Sequence, residues 1–132
     1  MTRFTHTTCS CGCGATASKE YLDSLDRVFK RAGLNPGISS MVRCRPHNKK
    51  IGGSIFSAHV LTADPGEFGA TDLKIKPVAR SKGGNAKQAY KIIKAAQAEG
   101  FNVFEVCNQH IHIGKVPENH PMANTIYWGV SQ

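Results

Sequence analysis

The sequence predicts an α+β domain in which two helices pack on a small antiparallel sheet. Three observations carry that prediction. Apolar residues recur at helical spacing over residues 21–32 and again over 89–96. Short apolar runs bounded by turn residues fill much of the remainder. The elements follow in the order helix, strands, helix, strands, with no repeat and no linker, so one domain over residues 1–132 is expected.

Each element has its own signals. Residues 1–17 are polar, rich in Gly and Thr, and irregular, and they carry Cys9, Cys11 and Cys13. On an extended strand these alternating cysteines share one face, a spacing unlike the Cys-x-x-Cys knuckle of structural zinc sites. With five cysteines in all, an odd number, a full disulfide framework is disfavoured. Reduced structural thiols are expected, with a second metal or a redox pair as the alternatives. Ser18 caps the first helix, whose face is Tyr21, Leu22, Leu25, Val28, Phe29 and Ala32; Gly33 ends it, and Asn35-Pro36-Gly37 turns the chain. Residues 38–44 read as a strand and 47–57 as a loop pivoting on Gly52-Gly53. Residues 58–62 and 70–75 read as two β segments around a turn-rich insert at 63–69. Asn85 caps the second helix, with Ala89, Ile92, Ile93 and Ala96 on its face and Gly100 at its close. Residues 103–107 and 111–116 form a hairpin pair, and 125–130 a final strand.

The charge balance is 17 basic to 9 acidic residues, a net +8, which draws polyanions such as nucleic acid or anionic cell-wall polymer. Aromatic residues are few and not interleaved with the basic cluster at Arg43, Arg45, Lys49 and Lys50, which argues against a nucleic-acid binder. No apolar run of about 18 residues exists, so no membrane insertion is expected. The start, Met1 to His6, lacks the apolar stretch of a secretory signal, which predicts synthesis as a soluble cytoplasmic product.

Six histidines invite a metal hypothesis. His59 opens an apolar segment after Ser57-Ala58; taken alone it is a satisfied core or surface residue. Asp72 sits between apolar neighbours, where a buried carboxylate needs a partner: a cation, a cap, or a salt bridge to Arg43. His110 and His112 point to one face of a strand while Ile111 and Ile113 point to the other. Both histidines chelate, or one is a ligand and the other lines a cleft. Arg43 stands at a strand end, suited to grip a substrate carboxylate bidentately, or is a plain surface charge. Two histidines and one carboxylate form a known catalytic zinc set, which leaves a fourth tetrahedral position open.

The stretch Ile38-Ser39-Ser40-Met41-Val42-Arg43-Cys44, then His47-Asn48, Ile51-Gly52-Gly53 and Ser57-Ala58-His59, resembles the zinc D-Ala-D-Ala carboxypeptidase-like and L-alanyl-D-glutamate endopeptidase-like peptidoglycan peptidases, above all their small phage-encoded members. The likeness continues through Ala70-Thr71-Asp72, the second helix, Gly100-Phe101 and Ile111-His112-Ile113 toward Tyr127-Trp128. Cys11-Gly12-Cys13-Gly14 and the first helix belong to it too. The resemblance implies a hedgehog-like fold and one zinc per chain on His59, Asp72 and His112. It places Arg43 and Ser57 on the substrate, a peptidoglycan stem peptide. Hydrolysis by water, with an acidic residue moving the proton, would serve phage lysis or penetration of the wall, the protein acting after release from the cell. The alternative is a catalytically impaired zinc module that binds cell wall or a partner.

Three departures from the family pattern stand out. Asp72 follows His59 by thirteen residues where seven is usual, and Asp64 in the added loop is a rival ligand. Gly114 stands where an aspartate is common. Gln109, three residues before His112, replaces an acidic residue. Glu105 is then the leading candidate base and His110 the second. Glu105 lies seven residues before His112, which on one regular strand puts it on the opposite face; a turn at Cys107-Asn108-Gln109 would reset that register.

Overall fold

The computed structural model describes residues 4–77 and 85–128. Helix α1 (Lys19–Ala32) begins where Ser18 Oγ accepts from the Tyr21 N–H, and ends at Gly33, whose φ of 66° suits a residue without Cβ. Its buried face holds Tyr21, Leu25, Val28 and Phe29. Strand β1 (Ile38–Ser40) is followed by helix α2 (Arg45–Lys50), then by a short 3-10 helix (Ala58–Ala63) and strand β2 (Gly69–Lys74). Helix α3 (Ala86–Ala98) is capped by Asn85, which accepts from the Gln88 N–H. Its alanine-rich buried face meets α1, and Arg27 and Arg31 clamp Glu99 from α1 at 2.6 and 2.5 Å. Strands β3 (Val103–Val106), β4 (His110–Lys115) and β5 (Thr125–Trp128) complete the chain.

The five strands form one sheet in the order β1-β2-β4-β3-β5. Alternation along each strand sends Leu73, Phe104, Val106, Ile111 and Ile113 into the core shared with α1 and α3. The opposite face carries Asp72, Glu105, His110 and His112. A smaller apolar cluster of Ala58, Ala70, Val103 and Val116 lies beneath the 3-10 helix.

Four sequence expectations are corrected. The sheet is mixed, because β3 and β5 run parallel. Asn102 explains why: its side chain exchanges hydrogen bonds with Val116 at 2.9 Å, and its carbonyl accepts from Thr125. Strand β5 therefore starts beside the first residue of β3. The strand expected over 38–44 stops at Ser40, and part of the expected 47–57 loop is α2, with Pro46 in its first turn, where a missing N–H costs nothing. Residues 58–62 are helical, not β; an apolar run this short has no decisive period. The cysteine segment is irregular, as expected. Thr8 bridges Thr16, the Cys9 N–H donates to Ala15 at 2.9 Å, and Gly12 and Gly14 take φ values of 81° and 88°, curling residues 9–15 into a closed loop. The hairpin and both long helices stand as expected. Of the final strand, Gly129 and Val130 lie outside the described residues.

Candidate metal centre

Three strands bring the site together by register. Asp72 on β2 is the direct cross-strand partner of His112 on β4, and His112 is in turn the partner of Glu105 on β3. Direct partners share a face, so the three side chains stand in a row. Glu105 thus joins His112 because they lie on opposite arms of a hairpin, where parity along one strand does not apply. His110 lies on the same face, two residues before His112.

His59 reaches this row from the 3-10 helix. Ser57 Oγ accepts from the His59 N–H at 3.3 Å and caps that helix, and Arg43 donates its backbone N–H to the His59 carbonyl. The His59 ring is buried, and its Nδ1 lies 2.7 Å from the Met41 carbonyl. A carbonyl only accepts, so Nδ1 carries a proton and Nε2 is the ring nitrogen turned to the site. Nε2 faces Asp72 Oδ2 at 3.3 Å, while Asp72 Oδ1 lies 2.8 Å from His112 Nδ1. Nε2 and Asp72 Oδ2 are thus close enough to share a proton or a cation. His59, Asp72 and His112 each offer one donor atom, all within 4.8 Å of one another, a set fit for a metal ion. Burial pushes the Asp72 carboxyl up, but hydrogen bonds and charge from His112 and His59 outweigh it and hold it well below the usual carboxylate range. It is an anion at neutral pH, as a ligand must be.

A cleft of about 290 Å³ opens over these groups, lined by Ser57, His59, Asp72, Glu105, His110 and His112 together with Phe56 and Met122. A larger hollow of about 660 Å³ between α1 and α3 is lined by Arg31, Tyr90, three lysines and three alanines, with no carboxylate, histidine or cysteine among them. The candidate donor set lies in the smaller one.

Two expected residues sit differently. Arg43 is absent from the described residues that line the cleft; its guanidinium donates to Asn48 Oδ1 at 2.9 Å. It does not pair with Asp72, so that alternative partner for the carboxylate is excluded. Asp64 is held bidentately by Arg45, with both bonds at 3.0 Å, and does not join the donor set. The added loop that carries it is also held at two adjacent residues: Ser18 donates to the Gly66 carbonyl, and Lys115 pairs with Glu67 at 3.5 Å. Sequence reasoning missed Asn48, which is buried and bonds both Arg43 and the Ser54 carbonyl. A Cβ at Gly53 would lie 2.1 Å from its amide oxygen, so the Asn48…Gly53 spacing is itself the signal.

Comparison with known proteins adds one finding. The family model described as Peptidase M15 matches residues 2–114. No curated protein and no solved structure matches the chain.

Proposed function

The chain belongs to the peptidase M15 family and so is a metallopeptidase, and on that footing we propose that it uses zinc to hydrolyse peptide bonds in peptidoglycan stem peptides. The observation that carries this reading is the row of Asp72, His112 and Glu105 across three paired strands, with His59 closing it. His59, Asp72 and His112 would hold the ion, and two imidazoles with one carboxylate are a donor set that suits zinc. When bound there, zinc supplies Lewis acidity, polarising a carbonyl and lowering the pKa of water toward neutrality.

The chain's own residues do the rest. The Met41 carbonyl fixes the His59 tautomer and aims Nε2 at the site. Glu105 lines the cleft beside His112, where its carboxylate takes a proton from the water that attacks the scissile carbonyl. It then gives that proton to the departing amine. His110, on the same wall, is the second candidate for this transfer. Ser57 contacts the peptide from the rim. Arg43, held by Asn48 and not among the described residues that line the cleft, binds the carboxylate of a substrate that extends beyond it. A hedgehog-like arrangement, and a setting in phage lysis or wall penetration, are parts of the same proposal and rest on the resemblance in sequence.

The test pairs metal analysis with chromatography of peptides released from purified cell wall. The unaltered protein is expected to release D-alanine or shorter stem peptides. His112→Ala is expected to lose one equivalent of zinc and all hydrolysis. Full hydrolysis by His112→Ala would end the reading. Zinc retained without hydrolysis by the unaltered chain would replace it with a wall-binding module.

A further inference from the structure

A second cluster of ligand atoms lies away from the cleft, and it takes up the cysteines that the proposed chemistry leaves unused. The closed loop at residues 9–15 brings Cys9, Cys11 and Cys13 together, and Cys44, distant in sequence, meets them just ahead of α2. All four sulfurs lie within 4.8 Å of one another. Cys9 and Cys11 are 3.4 Å apart, Cys11 and Cys44 3.5 Å, and Cys9 and Cys44 3.7 Å.

Those separations identify the chemistry. A disulfide needs a sulfur–sulfur length of about 2.05 Å and joins only two atoms; here three sulfurs stand mutually at 3.4 to 3.7 Å. Four thiolates at zinc–sulfur lengths of about 2.3 Å around a tetrahedral centre stand about 3.8 Å from one another. Thiols are weak hydrogen-bond partners, so their bonds to each other are a poor reason for four of them to converge. Backbone amides already point at the sulfurs: the Cys44 N–H donates to Cys9 at 3.4 Å and the Ala15 N–H to Cys13 at 3.5 Å. Such donors stabilise thiolate charge. Cys44 also stands in a basic stretch of the chain, with Arg43, Arg45, Lys49 and Lys50 nearby in sequence.

We propose that Cys9, Cys11, Cys13 and Cys44 form a second, structural zinc site, independent of the His59–Asp72–His112 centre. Four sulfur ligands close the coordination sphere and leave no position for substrate. The odd cysteine count resolves as four ligands plus Cys107, buried at the end of β3. The position of Cys44 gives the site its use. It follows Arg43, whose backbone holds the His59 carbonyl, and it lies three residues after Met41, whose carbonyl holds the His59 ring. Zinc at the cysteines therefore staples the amino-terminal loop to the segment that orients the first ligand of the other centre.

Metal analysis and cobalt substitution test this on the whole chain. The unaltered protein is expected to hold two equivalents of zinc. His112→Ala is expected to keep one, and its cobalt form to show strong thiolate-to-cobalt charge-transfer absorption. Cys11→Ser is expected to lose that absorption while keeping the weaker bands of the histidine–aspartate centre. A measurement without variants covers the chance that Cys11→Ser fails to fold: the exposed Cys11 and Cys13 should resist iodoacetamide in the zinc-loaded protein and react once zinc is chelated. Equal alkylation with and without zinc, a disulfide among the four found by mass spectrometry, or iron in place of zinc on the cysteines would overturn the proposal. If only the histidine–aspartate reading fails, one zinc remains and is lost with Cys11→Ser alone; if only the cysteine site fails, the one zinc is lost with His112→Ala.

Discussion

Replacing Asp72 by Asn keeps the shape of the side chain and removes its charge, so it isolates what the carboxylate does between His59 and His112. Removing a residue that merely supports a metal ligand costs about 10- to 100-fold in affinity, and Asp72 is itself a proposed ligand, so a loss of about 100-fold or more is expected. With zinc at about 100 times the dissociation constant of the unaltered site, binding stabilises the folded state by about 2.7 kcal/mol. At about 2.1 cal/mol/K per residue, the 132 residues give an unfolding entropy of about 0.28 kcal/mol/K. The zinc-dependent rise in Tm is then about 10 °C. At the same zinc concentration the variant sits near its own dissociation constant, where stabilisation is about 0.4 kcal/mol and the rise about 1 to 2 °C. The assay is scanning calorimetry of metal-free and zinc-reloaded protein, each variant compared with its own metal-free form. The cysteine cluster is unaltered in both proteins, so its share cancels between them. An equal zinc-dependent rise in Asp72→Asn and the unaltered chain would refute the assignment of Asp72 as a ligand.

Three further expectations follow from the geometry. Glu105→Gln should lower kcat about 10²- to 10⁴-fold while leaving bound zinc unchanged; cell-wall hydrolysis at full rate would remove Glu105 from proton transfer. Tyr21→Phe removes a buried hydroxyl 2.6 Å from Thr71 Oγ1, directly beneath the Asp72 strand, and should cost about 1 to 3 kcal/mol in urea denaturation; a change of a few tenths would show that the pair contributes little. The guanidiniums of Arg27 and, less strongly, Arg31 hold Glu99 below the usual carboxylate range despite its burial. Because the folded pKa is the lower one, its contribution is complete above the unfolded value of about 4.3 and fades as pH falls through the folded value. Glu99→Gln should therefore destabilise the protein at pH 7 and flatten the loss of stability on acidification below about pH 5; parallel pH–stability curves for the two proteins would contradict this.

Much of the fold was legible because local rules decide it. Ser18 and Gly33 bound α1 through a cap and a left-handed residue, and Asn85 starts α3 in the same way. The strand alternation of His110-Ile111-His112-Ile113 is local too, and it holds. The segments that were misread have weak local signals. Residues 58–62 are too few to show a period, and Pro46 reads equally as a loop or a first helical turn. Residues 9–15 read as irregular, but the positive φ of Gly12 and Gly14 that closes their loop has no counterpart in a pattern of apolar residues.

The sequence by itself determined the two long helices and the hairpin, the identity of His59 and His112 as candidates, and the inward and outward faces of the hairpin, because caps, periodicity and alternation act within a few residues. Tertiary structure decided which carboxylate joins them. Asp64 and Asp72 are both available along the chain; Arg45 claims the first, and strand register sets the second opposite His112. It placed Glu105 on the same face through the hairpin, and it brought Cys44 to the amino-terminal cysteines across more than thirty residues. Those choices depend on pairings between distant segments, and spacing along a chain does not encode which distant partner a side chain will meet.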